Sequence, residues 1–286
     1  MKKEVIWGLL FGTIAAGGFS SESDGIYVFK IGQMEICVMI EGERDGNVSI
    51  VPGADEALLR RYISAAGFKH STNAFLIKAP GQNILVDSGM GTNNIILEKI
   101  KKLGVTPEQL NAVLITHLHG DHIGTLQRNG KALFPNAKIY IDAKEHEYFT
   151  RIQPNQGAVA ALNSYGSNVI TFDAATPGSA PKEILPGIGA IAAYGHTPGH
   201  TAFLVESGAE KLLIAGDFLH VGLVQFPCPD ISATYDMNQN NAAASRRQLL
   251  DYAAKNKIIL GGMHIVFPGV GKVETDGSGY KFFPSN

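Results

Sequence analysis

The chain has 286 residues, 45% of them hydrophobic and 17% charged, enough apolar material for a large core and inconsistent with a disordered tail or a charge-laced coiled coil. Lysine plus arginine at 24 against aspartate plus glutamate at 26 leaves a net charge of −2, so no positive field favours a nucleic-acid partner. The two cysteines, Cys37 and Cys228, are too few for a disulfide scaffold and lack metal-ligand spacing.

In chain order, Lys2 and Lys3 precede an apolar run from Val5 to Gly18, and the polar Ser20-Ser21-Glu22-Ser23 follows. Residues 1–23 therefore have the layout of a secretory signal peptide, or else form an N-terminal extension. The expectation is an exported protein, periplasmic or extracellular, and a cytoplasmic one if the segment is not cleaved. A retained apolar segment would favour a homodimer. The run is too short to span a bilayer comfortably, and no later stretch approaches 18 apolar residues, so no stable membrane span is expected in the mature chain. No linker-like composition interrupts residues 24–286, which read as a single catalytic domain.

Residues 26–32 and 35–40 read as paired strands, and residues 55–66 carry apolar positions at helical spacing. Residues 73–78 and 83–86 read as strands joined by Pro80-Gly81, and residues 92–103 as a helix. Thr106-Pro107-Glu108 is a cap-plus-proline helix start. Residues 111–116 are a buried strand, 138–141 another, and 143–150 a short helix on which His146 reads as a solvated face. Residues 187–194, 201–206 and 211–215 give further strands, 238–255 the longest helix, and 257–260 a strand before a glycine-rich end. Strands and helices alternate, yet several strands follow one another through short turns. Mixed sheets with helices on the outside follow, an α/β sandwich.

The chemistry concentrates where the strand at 111–116 ends, in Thr116-His117-Leu118-His119-Gly120-Asp121-His122. Imidazole and carboxylate suit a borderline divalent cation, and crowding them without one would leave polar groups competing for the same hydrogen bonds. In an extended segment His117 and His119 point the same way, so one ion can take both, while Asp121 and His122 lie beyond the bend. Further ligands must come from other strand ends. The sequence offers His200 in Gly195-His196-Thr197-Pro198-Gly199-His200, Asp217 in Ala215-Gly216-Asp217, and His264 in Gly262-Met263-His264.

The order HLHGDH, GHTPGH, AGD and GMH, with Val86-Asp87-Ser88-Gly89 upstream, resembles the metallo-β-lactamase fold superfamily of metal-dependent hydrolases. The resemblance covers residues 26–286 and implies a four-layer αββα sandwich with a dinuclear site at the sheet edge. By it, His117, His119 and His200 hold one ion, Asp121, His122 and His264 the other, and Asp217 bridges. Asp87 lies behind a ligand histidine and orients it by hydrogen bond. His196, the first histidine of its turn, reads as a structural hydrogen-bonding residue. Residues 211–226, 243–247 and 262–280, with Phe134-Pro135-Asn136-Ala137 and residues 73–76, resemble the methyl parathion hydrolase branch of phosphotriesterases and lactonases.

The resemblance implies two divalent ions, zinc first and manganese, cobalt or iron with the same ligand set. A hydroxide bridging them would attack a lactone or ester carbonyl, with Asp121 as a proton carrier. Hydrolysis of organophosphates as the main activity is the alternative, and a metal- and small-molecule-binding protein without turnover the non-enzymatic one. A β-lactamase of this fold commonly has cysteine where Asp217 stands, and no basic cluster suits a glutathione thioester. Phe218 and Phe226, which follow Asp217, and Phe267, which follows His264, are candidates for lining an apolar pocket. His220, three residues after Asp217, is a candidate for touching substrate.

Overall fold

The structure is a computed structural model and describes residues 21–285. Of the expected signal segment at 1–23, residues 1–20 lie outside the described residues. Strands β1 (Ser21–Ser23), β2 (Ile26–Ile31) and β3 (Met34–Asp45) form an antiparallel run that helix α1 (Glu56–Tyr62) interrupts. Strands β4 (Lys69–Ala79) and β5 (Gln82–Val86) continue it. Helix α2 (Ile95–Lys102) leads to β6 (Leu110–Leu114), and helix α3 (Gly120–Ile123) to a separate hairpin, β7 (Gln127–Arg128) and β8 (Lys131–Ala132). Then come β9 (Lys138–Asp142), α4 (Ala143–Glu147), a π-helical turn (Tyr148–Ile152), α5 (Gln156–Asn163) and β10 (Val169–Phe172). The eight-stranded sheet has the order β1-β2-β3-β4-β5-β6-β9-β10, with β5, β6, β9 and β10 parallel.

The second sheet takes its seven strands in chain order: β11 (Lys182–Leu185), β12 (Ile188–Ala192), β13 (Thr201–Ser207), β14 (Glu210–Ile214), β15 (Ile259–Gly261), β16 (Val270–Asp276) and β17 (Gly279–Pro284). Helices α6 (Gly222–Gln225) and α7 (Gln239–Asn256) lie between β14 and β15, which are parallel.

The period of two along each strand divides the core into layers. On β4 and β5, Phe75, Ile77, Ile84 and Val86 face the second sheet's Ile188, Ala190, Phe203, Val205, Leu212 and Ile214. Leu76 and Leu85 point the other way, onto Ile96 and Ile100 of α2 and the cluster that holds Ala158 and Leu162 of α5. Leu204 and Leu213 point outward to Leu249, Leu250 and Ala253 of α7. The four layers α, β, β, α follow from these three packed interfaces.

Several boundaries differ from the sequence reading for local reasons. The strand read at 257–260 begins later, because Lys257 adopts a left-handed φ of 54° as the C-cap of α7. The helix read at 143–150 changes to π-helical hydrogen bonding from Tyr148 onward. Thr106-Pro107-Glu108 opens a single 3-10 turn, Pro107–Gln109, rather than a helix. The helix read at 55–66 stops at Tyr62, although Asp55 caps it as expected by accepting the Leu58 amide at 2.8 Å. The glycine-rich end pairs as the hairpin β16–β17.

Candidate metal centre

Strand ends of both sheets meet at one edge. Residues 115–122 follow β6, the turn 193–200 joins β12 to β13, Asp217 follows β14 and His264 follows β15. Backbone hydrogen bonds hold these loops together: Thr201 N–H to Thr116 O at 2.9 Å, Ala215 N–H to Gly261 O at 2.8 Å and Asn73 N–H to Met263 O at 2.9 Å. Thr201 opens β13 of the second sheet and Thr116 lies in the loop that follows β6 of the first, so this edge is where the two sheets are sewn together.

Three groups of metal-ligating atoms converge there, each within 4.8 Å: His117, His119, His196 and Asp217; Asp121, His122, Asp217 and His264; and His196, His220 and Asp236. Asp217 belongs to the first two. Its Oδ2 lies 3.7 Å from His117 Nε2, 3.5 Å from His196 Nε2 and 3.0 Å from His264 Nε2, and its Oδ1 lies 3.2 Å from His122 Nε2. His196 Nε2 also stands 3.1 Å from His119 Nδ1. His117 Nε2, His122 Nε2 and Asp217 Oδ1 are buried and make no hydrogen bond among the described residues. Buried polar atoms left so, lone pairs turned toward a shared point, fit a pair of divalent cations.

The other ring nitrogens are anchored, which fixes each ring's orientation. His122 Nδ1 lies 2.6 Å from Asp87 Oδ2, and Asp87 also accepts from the Thr116 amide at 2.9 Å and hydroxyl at 2.7 Å. His264 Nδ1 donates to Ser71 O at 2.9 Å. His196 Nδ1 lies 3.0 Å from Asp236 Oδ1, and Asp236 Oδ2 accepts from the buried Arg246 at 3.2 Å. Arg246 further donates to Phe218 O, Pro229 O and Ile231 O.

Electrostatics follow this crowding. Burial alone would raise the Asp217 carboxyl, yet His122, His264 and His117 hold it well below the usual range. Burial works in the same direction on Asp121, and His122 and His264 likewise overturn it. Burial and the neighbouring His122 push His117 well below an ordinary imidazole, and burial and His196 bring His119 down to about 4, so both present neutral rings suited to ligation.

Residues 67–262 match the family model described as the metallo-beta-lactamase superfamily. The chain belongs to the metallo-β-lactamase superfamily. This is a family of hydrolases, and a dinuclear divalent metal site is typical of it. The structure of AidC, a dizinc quorum-quenching lactonase in complex with a homoserine product, superposes with a TM-score of 0.79 at 24% identity, over 92% of this chain and 98% of that one. The probable metallo-hydrolase YflN of Bacillus subtilis (strain 168) is 28% identical over 161 residues, 51% of this chain and 60% of that protein. An N-acyl homoserine lactonase of Bacillus cereus is 28% identical over 119 residues, 42% of each chain. The matches thus span 60% and 42% of these two curated relatives' own lengths.

Within this metallo-β-lactamase edge, the structure brings His117, His119, Asp121, His122, Asp217 and His264 together and places Asp87 behind His122. It does not bring in His200, and this corrects the sequence reading. Both His200 nitrogens are engaged with backbone: Nδ1 with Ala193 O at 3.0 Å, and Nε2, which accepts the Asp217 amide at 3.0 Å. His196, read as structural, takes the place at the cluster. The turn holds two histidines, and which one faces outward depends on how it folds back onto β13.

The expected apolar pocket is also corrected. Phe218 and Phe226 are buried in the core beneath α7, where Phe226 stacks on Phe282 at 4.8 Å, and Phe267 packs on the core between the sheets. His220 does border the cluster, its Nε2 3.3 Å from Asp217 Oδ2 and its ring 5.1 Å from His264. His70 also packs on His264, at 4.4 Å between ring centroids; burial brings it down to about 3 and keeps it neutral. A cavity of about 300 Å³ opens instead beside His119, lined by Tyr148, Phe149, Gln153, Pro154, Asn155 and Met237. Its wall is the π-helical turn, where the sequence shows only an ordinary amphipathic helix. Asp236, Arg246 and Glu145 were also missed, because a lone charged residue on a helix or loop carries no sign of burial.

Among the described residues no helix is long and apolar enough to cross a membrane.

Proposed function

We propose that this metallo-β-lactamase-fold chain is a dinuclear metal-dependent hydrolase of apolar lactones or esters. His117, His119 and His196 would hold one ion, Asp121, His122 and His264 the other, with Asp217 between them. Bound there, two divalent ions supply Lewis acidity and a water acidified toward a pKa of roughly 7. The chain's own residues do the rest. Asp87, Asp236 and Ser71 O hold three imidazoles in the ligating tautomer. Asp121, whose side chain keeps 29% exposure while that of Asp217 keeps 2%, would carry a proton to the leaving oxygen.

The observation that carries the substrate class is the apolar rim. Exposed Ile152, Tyr235, Met237 and Val266 stand on three segments that carry or flank the cluster, and the cavity beside His119 is walled by Tyr148, Phe149 and Pro154. Its volume is at the small end of ligand pockets, and no lysine, arginine, aspartate or glutamate lines it to pair with a charged group. The similarity to a lactonase of Bacillus cereus supports the same reading.

The test is a comparison of initial rates on metal-reconstituted protein with aliphatic and aromatic lactones, methyl parathion, a β-lactam and a glutathione thioester. A lactone preference above about tenfold, roughly 1.4 kcal/mol of transition-state discrimination, is expected. A leading rate on the phosphotriester would replace the proposal by an organophosphate hydrolase, and no turnover of any substrate by a fully metallated sample would leave a binding protein.

A further inference from the structure

Glu145 is fully buried on α4 with no lysine or arginine in ion-pair distance among the described residues. A carboxylate so placed is costly unless hydrogen bonds compensate it. Its two oxygens point to two different metal-bearing loops. Oε1 accepts the amide of Leu118, the residue between His117 and His119, at 2.8 Å. Oε2 accepts the amide of Gly199, three residues after His196, at 2.9 Å.

The surrounding backbone is built for this contact. A Cβ at Gly199 would lie 2.2 Å from the Glu145 amide nitrogen, so α4 can seat flush against the turn only because that position is glycine. Asp142 fixes where α4 begins: its Oδ1 accepts the Lys144 amide at 2.8 Å, and its Oδ2 accepts the Tyr194 hydroxyl at 3.0 Å from the far side of the same turn. Helix α4 is thereby bound to the turn through its N-cap and through Glu145.

We propose that Glu145 is a positioning residue: its carboxylate bridges the loop 115–122 to the turn 193–200 and sets the distance between His119 and His196, and so the affinity of the ion that His117, His119 and His196 share. The proposal rests on the ligand reading given above. A glutamine here keeps the shape but offers one acceptor and one donor to two N–H groups, so one loop must move. Among the described residues Glu145 makes no hydrogen bond or ion pair with Asp121, His122 or His264, which would hold the second ion, so that ion should not feel the change.

The experiment titrates metal-free wild type and Glu145→Gln with Co²⁺ and Zn²⁺ against a chromophoric chelator, with the visible Co²⁺ spectrum and the melting temperature of the metal-free forms recorded alongside. The expected result is a 10- to 100-fold weaker first ion with an altered Co²⁺ spectrum, and a second ion within about twofold of wild type. Equal affinities and spectra for both proteins would overturn the proposal. So would equal weakening of both ions with a large loss of metal-free stability, which is the signature of a merely structural residue. If wild type itself binds fewer than two ions, the ligand reading fails and the proposal with it, whatever the variant does.

Discussion

At the residue scale, the two histidines of one turn show how hydrogen bonding decides a role. His200 has the composition of a ligand and none of its freedom, since Ala193 O and the Asp217 amide occupy both ring nitrogens. His196 has one nitrogen held by Asp236 and the other turned to His119 and Asp217. His196→Ala should therefore lose about one ion per chain, while His200→Ala should retain about two and lose affinity only through the loosened Asp217 loop. Metal content by atomic emission after dialysis checks this. The reverse pattern would restore His200 as the ligand.

At the element scale, the loop between Phe218 and Asp236 has little secondary structure of its own beyond the four-residue α6. Arg246 on α7 holds it, donating to three carbonyls and to Asp236 from a position only 1% exposed. Removing one member of a buried ion pair leaves the other uncompensated, at a cost of roughly 3–5 kcal/mol. Asp236→Ala should lower the melting temperature of the metal-free protein by on the order of 10 °C. It should also weaken the His196 ion, because the imidazole loses its orienting acceptor. A differential scanning experiment that shows no shift would mean that the loop is held by its carbonyl contacts alone.

At the scale of the whole molecule, the centre joins the two sheets. His117, Asp121 and His122 come from the end of the first, and His196, Asp217 and His264 from the ends of the second. An ion that binds only this folded arrangement stabilises it by mass action, about 2.7 kcal/mol at a hundredfold excess over Kd. Chelation should therefore lower the melting temperature by several degrees, and added Zn²⁺ or Mn²⁺ should restore it. Melting unaffected by chelator and by added metal would show that the cluster holds no ion tightly.

The mixed sheets, most of the strands and most of the residues that gather at the sheet edge were legible in the sequence because they rest on local rules, and the four layers were legible through the family resemblance. Alternating apolar residues such as Phe75, Leu76 and Ile77 put opposite faces against opposite layers, and HLHGDH packs four ligating groups into one strand end. What the tertiary structure decided are contacts between segments distant in sequence. Glu145 meets Leu118 across 27 residues and Gly199 across 54, and Asp142 meets Tyr194 across 52. His196 rather than His200 faces the cluster because the Asp217 loop claims the second ring. The π-helical turn of Tyr148–Ile152, and with it the cavity beside His119, depends on packing that no periodicity records. Residue type and spacing select which groups reach a strand end, whereas hydrogen-bond competition among the assembled loops decides which of them remain free to bind.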